Sequence, residues 1–448
     1  MANTYLQRTP STNGSFVTNT WSFWVKRTAL NYDYRRLWSS YVTSTNNFMI
    51  AFTPTDELEF SYFAGVYDFQ VKTNRKFRDT SAWYNIVIAQ DASASTSTDR
   101  IKIYVNGVRE TSFATTNFPD LNEGSNTINA TNSTTILGQK GNGSEWFEGL
   151  MSHVHFIDGT AYDATAFGEY DANGVWKIKT SPSVTYGTNG FFILEDGNSV
   201  TDQSGNSNNF TVGGGTLTNT EDNPSNVYTV WNAISTVSYK QSGNPIVFSN
   251  GATSLLENGG EYKNATSTVG AFTGKYYFET KMISPNSSLA ESTYVGVVTA
   301  TAQANVGDNY NHVGYTTNSV GYNSYAGQVF TSDSGSNYGA SLTNGDILGV
   351  ALDITNLKVY FSKNGVWQNS GVPTSGSTGT GAVSLPSTGD AWLFGGSPRN
   401  SSIQSNFGNG YFGTTAVASA GTNASGNGIF EYDVPTGYTA LSTKGLNL

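Results

Sequence analysis

The chain has 448 residues, enough for two or three domains with cores of their own, and its formal charge of −10 speaks against nucleic acid as the main partner. With 13% aromatic and only 12% charged residues it is not a disordered polymer, and the absence of cysteine rules out disulfides, thiolate metal sites and a cysteine nucleophile. No apolar run reaches the ~18 residues of a membrane-spanning helix.

The opening Met1-Ala-Asn-Thr-Tyr-Leu6 lacks the basic-then-apolar pattern of a signal peptide, so synthesis in a cytoplasm and use there or elsewhere is the expectation. Residues 1–110 hold 12 basic and 9 acidic side chains, against 11 and 24 in the remainder. That split reads either as a solvated face or as a first domain that docks on an acidic neighbour.

Asn-Gly occurs eleven times, several directly after an alternating run. Both residues tolerate the positive φ of a type I′ turn, so the pattern predicts hairpins throughout. Trp21-Ser-Phe-Trp-Val-Lys26 reads as a strand with large residues on both faces. Ala82-Trp-Tyr-Asn-Ile-Val-Ile-Ala89 reads as a central strand. In Arg100-Ile-Lys-Ile-Tyr-Val-Asn-Gly107, Ile101, Ile103 and Val105 share a face. Gly149-Leu-Met-Ser-His-Val-His-Phe-Ile-Asp158 alternates, with Leu150, Ser152, Val154 and Phe156 on one side and His153 with His155 on the other. Ala161 to Phe167 suits one or two helical turns. This order resembles a laminin-G-like, concanavalin-type sandwich across most of residues 15–212. The turn Thr201-Asp-Gln-Ser-Gly-Asn-Ser-Asn-Asn-Phe210 follows Gly190-Phe-Phe-Ile-Leu-Glu195 near the end, where many such domains carry a similar turn near the start. A circular shift explains this, because sandwich termini lie close together.

A second set of alternating strands follows: Gly274-Lys-Tyr-Tyr-Phe-Glu279, Tyr294-Val-Gly-Val-Val298, Gly345-Asp-Ile-Leu-Gly-Val-Ala-Leu-Asp353 and Lys358-Val-Tyr-Phe-Ser-Lys-Asn-Gly-Val-Trp367. Leu357, Val359 and Phe361 are expected on one face. This set resembles an SPRY domain. The expected fold class is therefore all-β, two antiparallel sandwiches: a concanavalin-like unit over 1–215, a linker and the start of the second unit over 216–244, an SPRY-like unit over 245–413, and a C-terminal segment over 414–448 packing on the second unit.

Catalytic chemistry has little to work with. Glucanases on a concanavalin-type fold place three acids as E-x-D-x-x-E on one strand face. The nearest stretch is Asp56-Glu-Leu-Glu-Phe-Ser-Tyr62, where Glu57 and Glu59 share a face but Tyr62 stands in place of the third acid; a solvated strand edge is the expectation. His153 and His155 could ligate a metal only if an acid joined them. Calcium is the one cofactor the residue types admit, through Asp202, Asn206, Asn208 and Asp158, although Asp202 and Asn206 also suit turn caps. Surface recognition remains. Tyr310, His312, Tyr322, Tyr325 and Trp367 lie in or beside loops of the second unit, where aromatic faces and amides suit sugar or protein contact.

The pairing of the two domains is similar to virion proteins of tailed phages, and the stretches Asn223–Ala233 and Tyr432–Thr443 resemble that group too. The resemblance implies a non-enzymatic protein of the virion surface, a tail-fibre tip, receptor-binding or head-decoration protein, assembled in the host cytoplasm. The implied partners are other virion proteins, copies of itself, and a host glycan or envelope protein, with no nucleic acid and no membrane insertion. No heptads are visible, so any anchor is a folded surface.

Overall fold

The computed structural model describes residues 3–30, 33–195, 197, 199–234, 246–284, 292–303 and 311–448. Two units divide the chain, Met1–Asn219 and Thr220–Leu448.

The first unit holds strands β1 (Tyr5–Arg8), β2 (Thr18–Arg27), β3 (Arg35–Thr43), β4 (Asn46–Phe52), β5 (Leu58–Phe63), β6 (Tyr67–Thr73), β7 (Trp83–Asp91), β8 (Ile101–Val105), β9 (Val108–Arg109), β10 (Phe113–Asn117), β11 (Thr134–Leu137), β12 (Gly149–Asp158), β13 (Gly168–Tyr170), β14 (Trp176–Ile178), β15 (Phe191–Ile193) and β16 (Thr211–Gly214). An eight-stranded sheet runs β10-β6-β5-β4-β3-β11-β1-β16, and a six-stranded sheet runs β15-β12-β2-β7-β8-β9. Period-2 alternation drives the sandwich. Trp21, Phe23 and Val25 of β2, Ile86 and Ile88 of β7 and Ile101, Ile103 and Val105 of β8 point inward, where they meet Trp38, Phe48, Ile50 and Phe60 of the larger sheet. Trp21 stacks on Phe48 at 5.5 Å and meets Trp38 edge-on at 6.0 Å.

The outward face of the six-stranded sheet is covered by the chain's own residues. Trp24 and Lys26 are buried there, which accounts for a strand with large residues on both sides. His155 stacks on Phe192 at 4.0 Å beside Phe167, and Trp176 donates its indole N–H to Asn85. The helical turn read over 161–167 is a 3-10 turn, Ala164–Ala166, capped by the Asp163 carboxylate accepting from the Thr165 amide.

Simple alternation fails in β12. Pairing with β2 slips between Ser152 and His155, and His153 sits at φ 47° with its amide donating to the Leu194 carbonyl. This is a bulge. It brings Met151, not Leu150 and Ser152, against the core while leaving Val154 and Phe156 inward. Both imidazoles still lie against Phe192, His153 at 5.6 Å and His155 at 4.0 Å, so the pair shares the outward face.

The second unit holds β17 (Val247–Ser249), β18 (Ser254–Glu257), β19 (Ala265–Thr266), β20 (Lys275–Met282), β21 (Tyr294–Thr299), β22 (Ser319–Asn323), β23 (Gln328–Thr331), β24 (Ser334–Asn337), β25 (Ile347–Asp353), β26 (Lys358–Lys363), β27 (Val366–Trp367), β28 (Val383–Ser384), β29 (Trp392–Ser397), β30 (Ser401–Asn406), β31 (Tyr411–Phe412), β32 (Thr415–Ala416) and β33 (Thr439–Ala440). A nine-stranded sheet runs β17-β18-β30-β20-β25-β26-β27, with β28 beside β26 and β33 beside β20; a six-stranded sheet runs β19-β29-β21-β22-β23-β24. Phe278, Phe394, Phe407 and Trp231 centre the core, and Val359 with Phe361 joins them. Leu357 precedes β26 in a turn at φ 55° and packs only in part.

The described part of the segment over 216–244 and the C-terminal segment both pack into this unit. Trp231 lies in its main core. Tyr228 joins Phe430, Val434, Tyr438 and Ala440 in a second cluster against Tyr277, Ala351 and Tyr360, on the outward face of the larger sheet. Glu279 fastens this layer. It is fully buried, and its carboxylate accepts the amides of Glu431 and Tyr432, both at 2.8 Å, and the Tyr277 hydroxyl at 3.1 Å. Burial pushes its carboxyl up to about 7, although those donors favour the charged form.

Candidate functional site

A largely buried polar network lies on the outward face of the eight-stranded sheet in the first unit. In β5, Leu58, Phe60 and Tyr62 face the core, so Glu59 and Ser61 face out. The register sets two rows across the strands. One reads Arg36, Ala51, Glu59, Lys72; the next reads Ser39, Met49, Ser61, Gln70. Ala51 keeps the floor low between the cation and the acid.

Glu59 is fully buried, accepting from the Ser61 hydroxyl at 2.9 Å, the Gln70 amide at 2.8 Å and the Tyr34 hydroxyl at 3.4 Å. Arg36 pairs through Nε with Glu145, which also accepts from Lys140 Nζ at 2.9 Å. Burial works against the Glu145 charge, yet Arg36 and Lys140 hold its carboxyl below the usual carboxylate range. Glu145 sits at φ 54°, and its carbonyl accepts the Arg36 amide, so the loop over the sheet is locked onto the cation at a strained residue. Arg36 Nη1 and Ser39 Oγ are buried and have no hydrogen-bond partner among the described residues.

Tyr34, Tyr67 and Phe63 lie beside this floor, and Trp146 lies apart from it, toward β1. Tyr67 is 42% exposed and meets Phe63 edge-on at 5.1 Å. Burial and the nearby Glu59 raise the phenols of Tyr34 and Tyr67, so both remain hydroxyl donors at physiological pH. Trp146 lies half-buried against Tyr5 at 5.8 Å, its indole N–H given to the Gly143 carbonyl. The exposed Tyr67 and the half-buried Gln70 and Lys72 stand over a buried polar layer of Glu59, Arg36, Ser39 and Ser61; a ring and polar tips held this way on a rigid sheet suit contact with hydroxyl-rich ligands.

Glu59 is thus not a solvated strand edge. Nor does it pair with Glu57, whose carboxylate is bound by Thr53, Thr55 and Lys76 and held down to about 2 by those donors against burial. Sequence reasoning missed Arg36, Gln70, Tyr34, Tyr67 and Glu145. The available signal was the polar set at alternate positions of adjacent strands, Glu59 and Ser61 beside Gln70 and Lys72.

The residues expected to bind ligand in the second unit do not form one site. Tyr310 lies outside the described residues. Tyr322 alternates inward with Val320 and is buried against Tyr338 and Phe361, its hydroxyl given to the Ala340 carbonyl. His312 is buried too, stacked on Tyr294 at 3.7 Å among Tyr262, Phe330 and Tyr315, with Nε2 3.4 Å from Asp333. Burial lowers its imidazole while Asp333 pulls the other way. Tyr325 is exposed, and Trp367 lies half-buried against Tyr277 at 6.3 Å.

Of the four expected metal ligands, Asp202 caps its own turn, as its residue type suited, whereas Asn206 and Asn208 tie that turn to residues 187–190. Asp202 accepts the amides of Phe192, Ser204 and Asn208 and the Ser204 hydroxyl. Asn206 donates to the Gly187 and Gly190 carbonyls, and Asn208 donates to Thr188 and Gly190 while Arg8 takes its oxygen. Asp158 accepts the amides of Ser15 at 2.7 Å and Asn189 at 3.0 Å.

Residues 2–164 match the family model of the concanavalin A-like lectin/glucanases superfamily, and residues 275–385 match that of the SPRY domain. Among solved structures, the chain is similar to the SPRY domain of human HERC1 (18% identity, 36% of this chain and 91% of that one, TM-score 0.28). A second human SPRY domain gives 17% identity over 36% and 93%, with a TM-score of 0.27. No curated protein matches. The chain therefore carries a concanavalin A-like/laminin G domain followed by an SPRY domain, both folded as antiparallel sandwiches.

Proposed function

We propose that this protein is a non-catalytic recognition component of a tailed-phage virion surface, and that its first domain binds host carbohydrate on the outward face of the eight-stranded sheet. The observation that carries the reading is the buried Arg36–Glu59 layer under Gln70, with Tyr34, Tyr67 and Phe63 beside it. Sugars present hydroxyl fans and apolar ring faces, which such a surface meets with fixed donors, acceptors and aromatic planes. Glu59 spends its carboxylate on Ser61, Gln70 and Tyr34, which suits positioning over catalysis. The domain pairing and the resemblance of Asn223–Ala233 and Tyr432–Thr443 to phage virion proteins support the setting. The second domain, with its exposed Tyr325 and half-buried Trp367, serves contacts to neighbouring virion subunits in this reading.

The test is glycan-array and whole-cell binding by the purified chain, repeated with Tyr67→Ala and Gln70→Ala. Saturable binding that falls at least tenfold in both variants is expected. A folded wild-type chain that binds no glycan and no cell, or binding indifferent to both substitutions, overturns the assignment and favours a purely structural role.

A further inference from the structure

The sandwich of the first unit is open along one side. β9 ends the six-stranded sheet, β10 ends the eight-stranded one, and residues 110–112 carry the chain from the first edge to the second. Apolar side chains reach the surface there. Val108 is 55% exposed and Leu121 53%, and Phe113 meets Phe118 edge-on at 6.3 Å, both only half-buried against the core. At five residues, β10 is the longest strand at the end of any of the four large sheets. It pairs with β6 on one side, and among the described residues no strand lies on the other. Its sequence, Phe113-Ala-Thr-Thr-Asn117, holds neither a charge nor a proline, two of the means by which an edge is kept from pairing. Phenylalanine and threonine also favour strands. A register shift between Phe113 and Thr115 blunts only the start of β10, and Thr115, Thr116 and Asn117 follow in regular step with Lys72, Val71 and Gln70. The Asn117 amide turns back to the Tyr67 and Asp68 carbonyls and does not cross the open edge. The two ends of the strand differ in charge. Arg75 and Arg109, exposed and each sharing one acid, stand at its start; Asp68, Asp120 and Glu123, all exposed, stand at its end.

We propose that a second copy of this chain docks on this edge, its β10 pairing antiparallel with the first about a two-fold axis, so that two eight-stranded sheets join into one. The direction follows from the charges: antiparallel pairing sets the arginine end of each strand toward the acidic end of the other, whereas parallel pairing sets like ends together. An identical strand brings both ends at once, and the two-fold axis makes every contact twice. The apolar rim of Val108, Phe113, Phe118 and Leu121 loses water on both copies. A short ladder with such a rim belongs to the small interface class, with a Kd of roughly 10⁻⁶–10⁻⁴ M. The axis of an antiparallel pair stands perpendicular to the sheet, so the outward polar layers of both copies face the same way. A two-headed glycan surface is the consequence, and that consequence rests on the carbohydrate reading; the pairing does not, since its test reads mass and not sugar.

The experiment is sedimentation equilibrium and light scattering of the full chain from about 1 to about 300 µM. A reversible monomer–dimer equilibrium is expected. Thr116→Lys and Thr116→Glu each put a charge on an exposed position of β10, and in any antiparallel register of so short a strand that charge lies close to its own copy. Each variant alone should weaken the dimer roughly tenfold or more, and an equimolar mixture of the two should restore it. Val212→Lys, at an exposed position of β16 on the far edge of the same sheet, should leave the equilibrium unchanged. A chain that stays monomeric throughout, open-ended aggregates in place of a dimer, a dimer indifferent to both Thr116 variants, a loss in Val212→Lys, or a mixture that stays monomeric would each overturn the proposal.

Discussion

Replacing Glu279 with glutamine should remove one segment of the pH dependence of stability. In the folded second unit the carboxyl titrates at about 7, against a reference of 4.5. A folded pKa raised above the unfolded one gives stability that is fully present below pH 4.5 and is lost as pH rises through 7. The difference of about 2.5 units is worth roughly 3 kcal/mol at 1.36 kcal/mol per unit. Glutamine keeps one acceptor for the Glu431 and Tyr432 amides and carries no charge, so its cost, about 1–3 kcal/mol from the lost acceptor, does not vary with pH. Urea unfolding of wild type and Glu279→Gln, followed by tryptophan fluorescence from pH 4.5 to 8.5 at constant ionic strength, separates the two. The wild type should lose roughly 3 kcal/mol relative to the variant across that range, enough to close or reverse the gap. Burial lowers the His312 imidazole, a contribution of opposite sign, but it is common to both proteins and cancels in the difference. Parallel curves would refute the reasoning and show that the amide and hydroxyl donors compensate the burial of the charge.

In the first unit, burial holds the His153 imidazole down to about 4 and also lowers that of His155. A lowered folded pKa costs stability as pH falls from about 6.5 toward 4, so this unit should weaken over that interval by roughly 3 kcal/mol for His153 alone; an acid unfolding curve flat over the interval would contradict it. Asp56 pairs with the buried Arg27 at 3.0 Å, and Asp56→Ala should cost about 3–5 kcal/mol in urea unfolding because it strands the guanidinium. Gly296 faces the Val320 carbonyl across β21 and β22, where a Cβ would lie 2.0 Å from the oxygen. Gly296→Ala should therefore cost about 3 kcal/mol, and a loss below about 0.5 kcal/mol would show that the strands part easily.

Local alternation carried much of the fold. Ile101, Ile103 and Val105 point into the core as their spacing required, and so do Val359 and Phe361. The bulge at His153 was not legible, because a left-handed histidine is held by the Leu194 carbonyl, forty-one residues on, and not by its neighbours. Tyr322 was misplaced by composition: a tyrosine among Asn and Gly suggested a loop, whereas its step of two from Val320 put it in the core. The candidate site was hidden for another reason. Arg36, Ala51, Glu59 and Lys72 form one row only after four strands have paired, and Glu145 reaches it from a loop over seventy residues further along. No window of sequence holds that information.

The layer fastened by Glu279 also bears on how the second unit is made. Its outward sheet face is closed by residues 430–440, and β33 lies parallel to β20, a strand synthesised about 160 residues earlier. A polypeptide emerging from a ribosome therefore displays Tyr277, Ala351 and Tyr360 to solvent until almost the whole unit has been translated. Folding of this unit is expected to be late and all at once, and chains stalled near residue 413 should be protease-sensitive and sticky, whereas chains released after Leu441 should resist digestion.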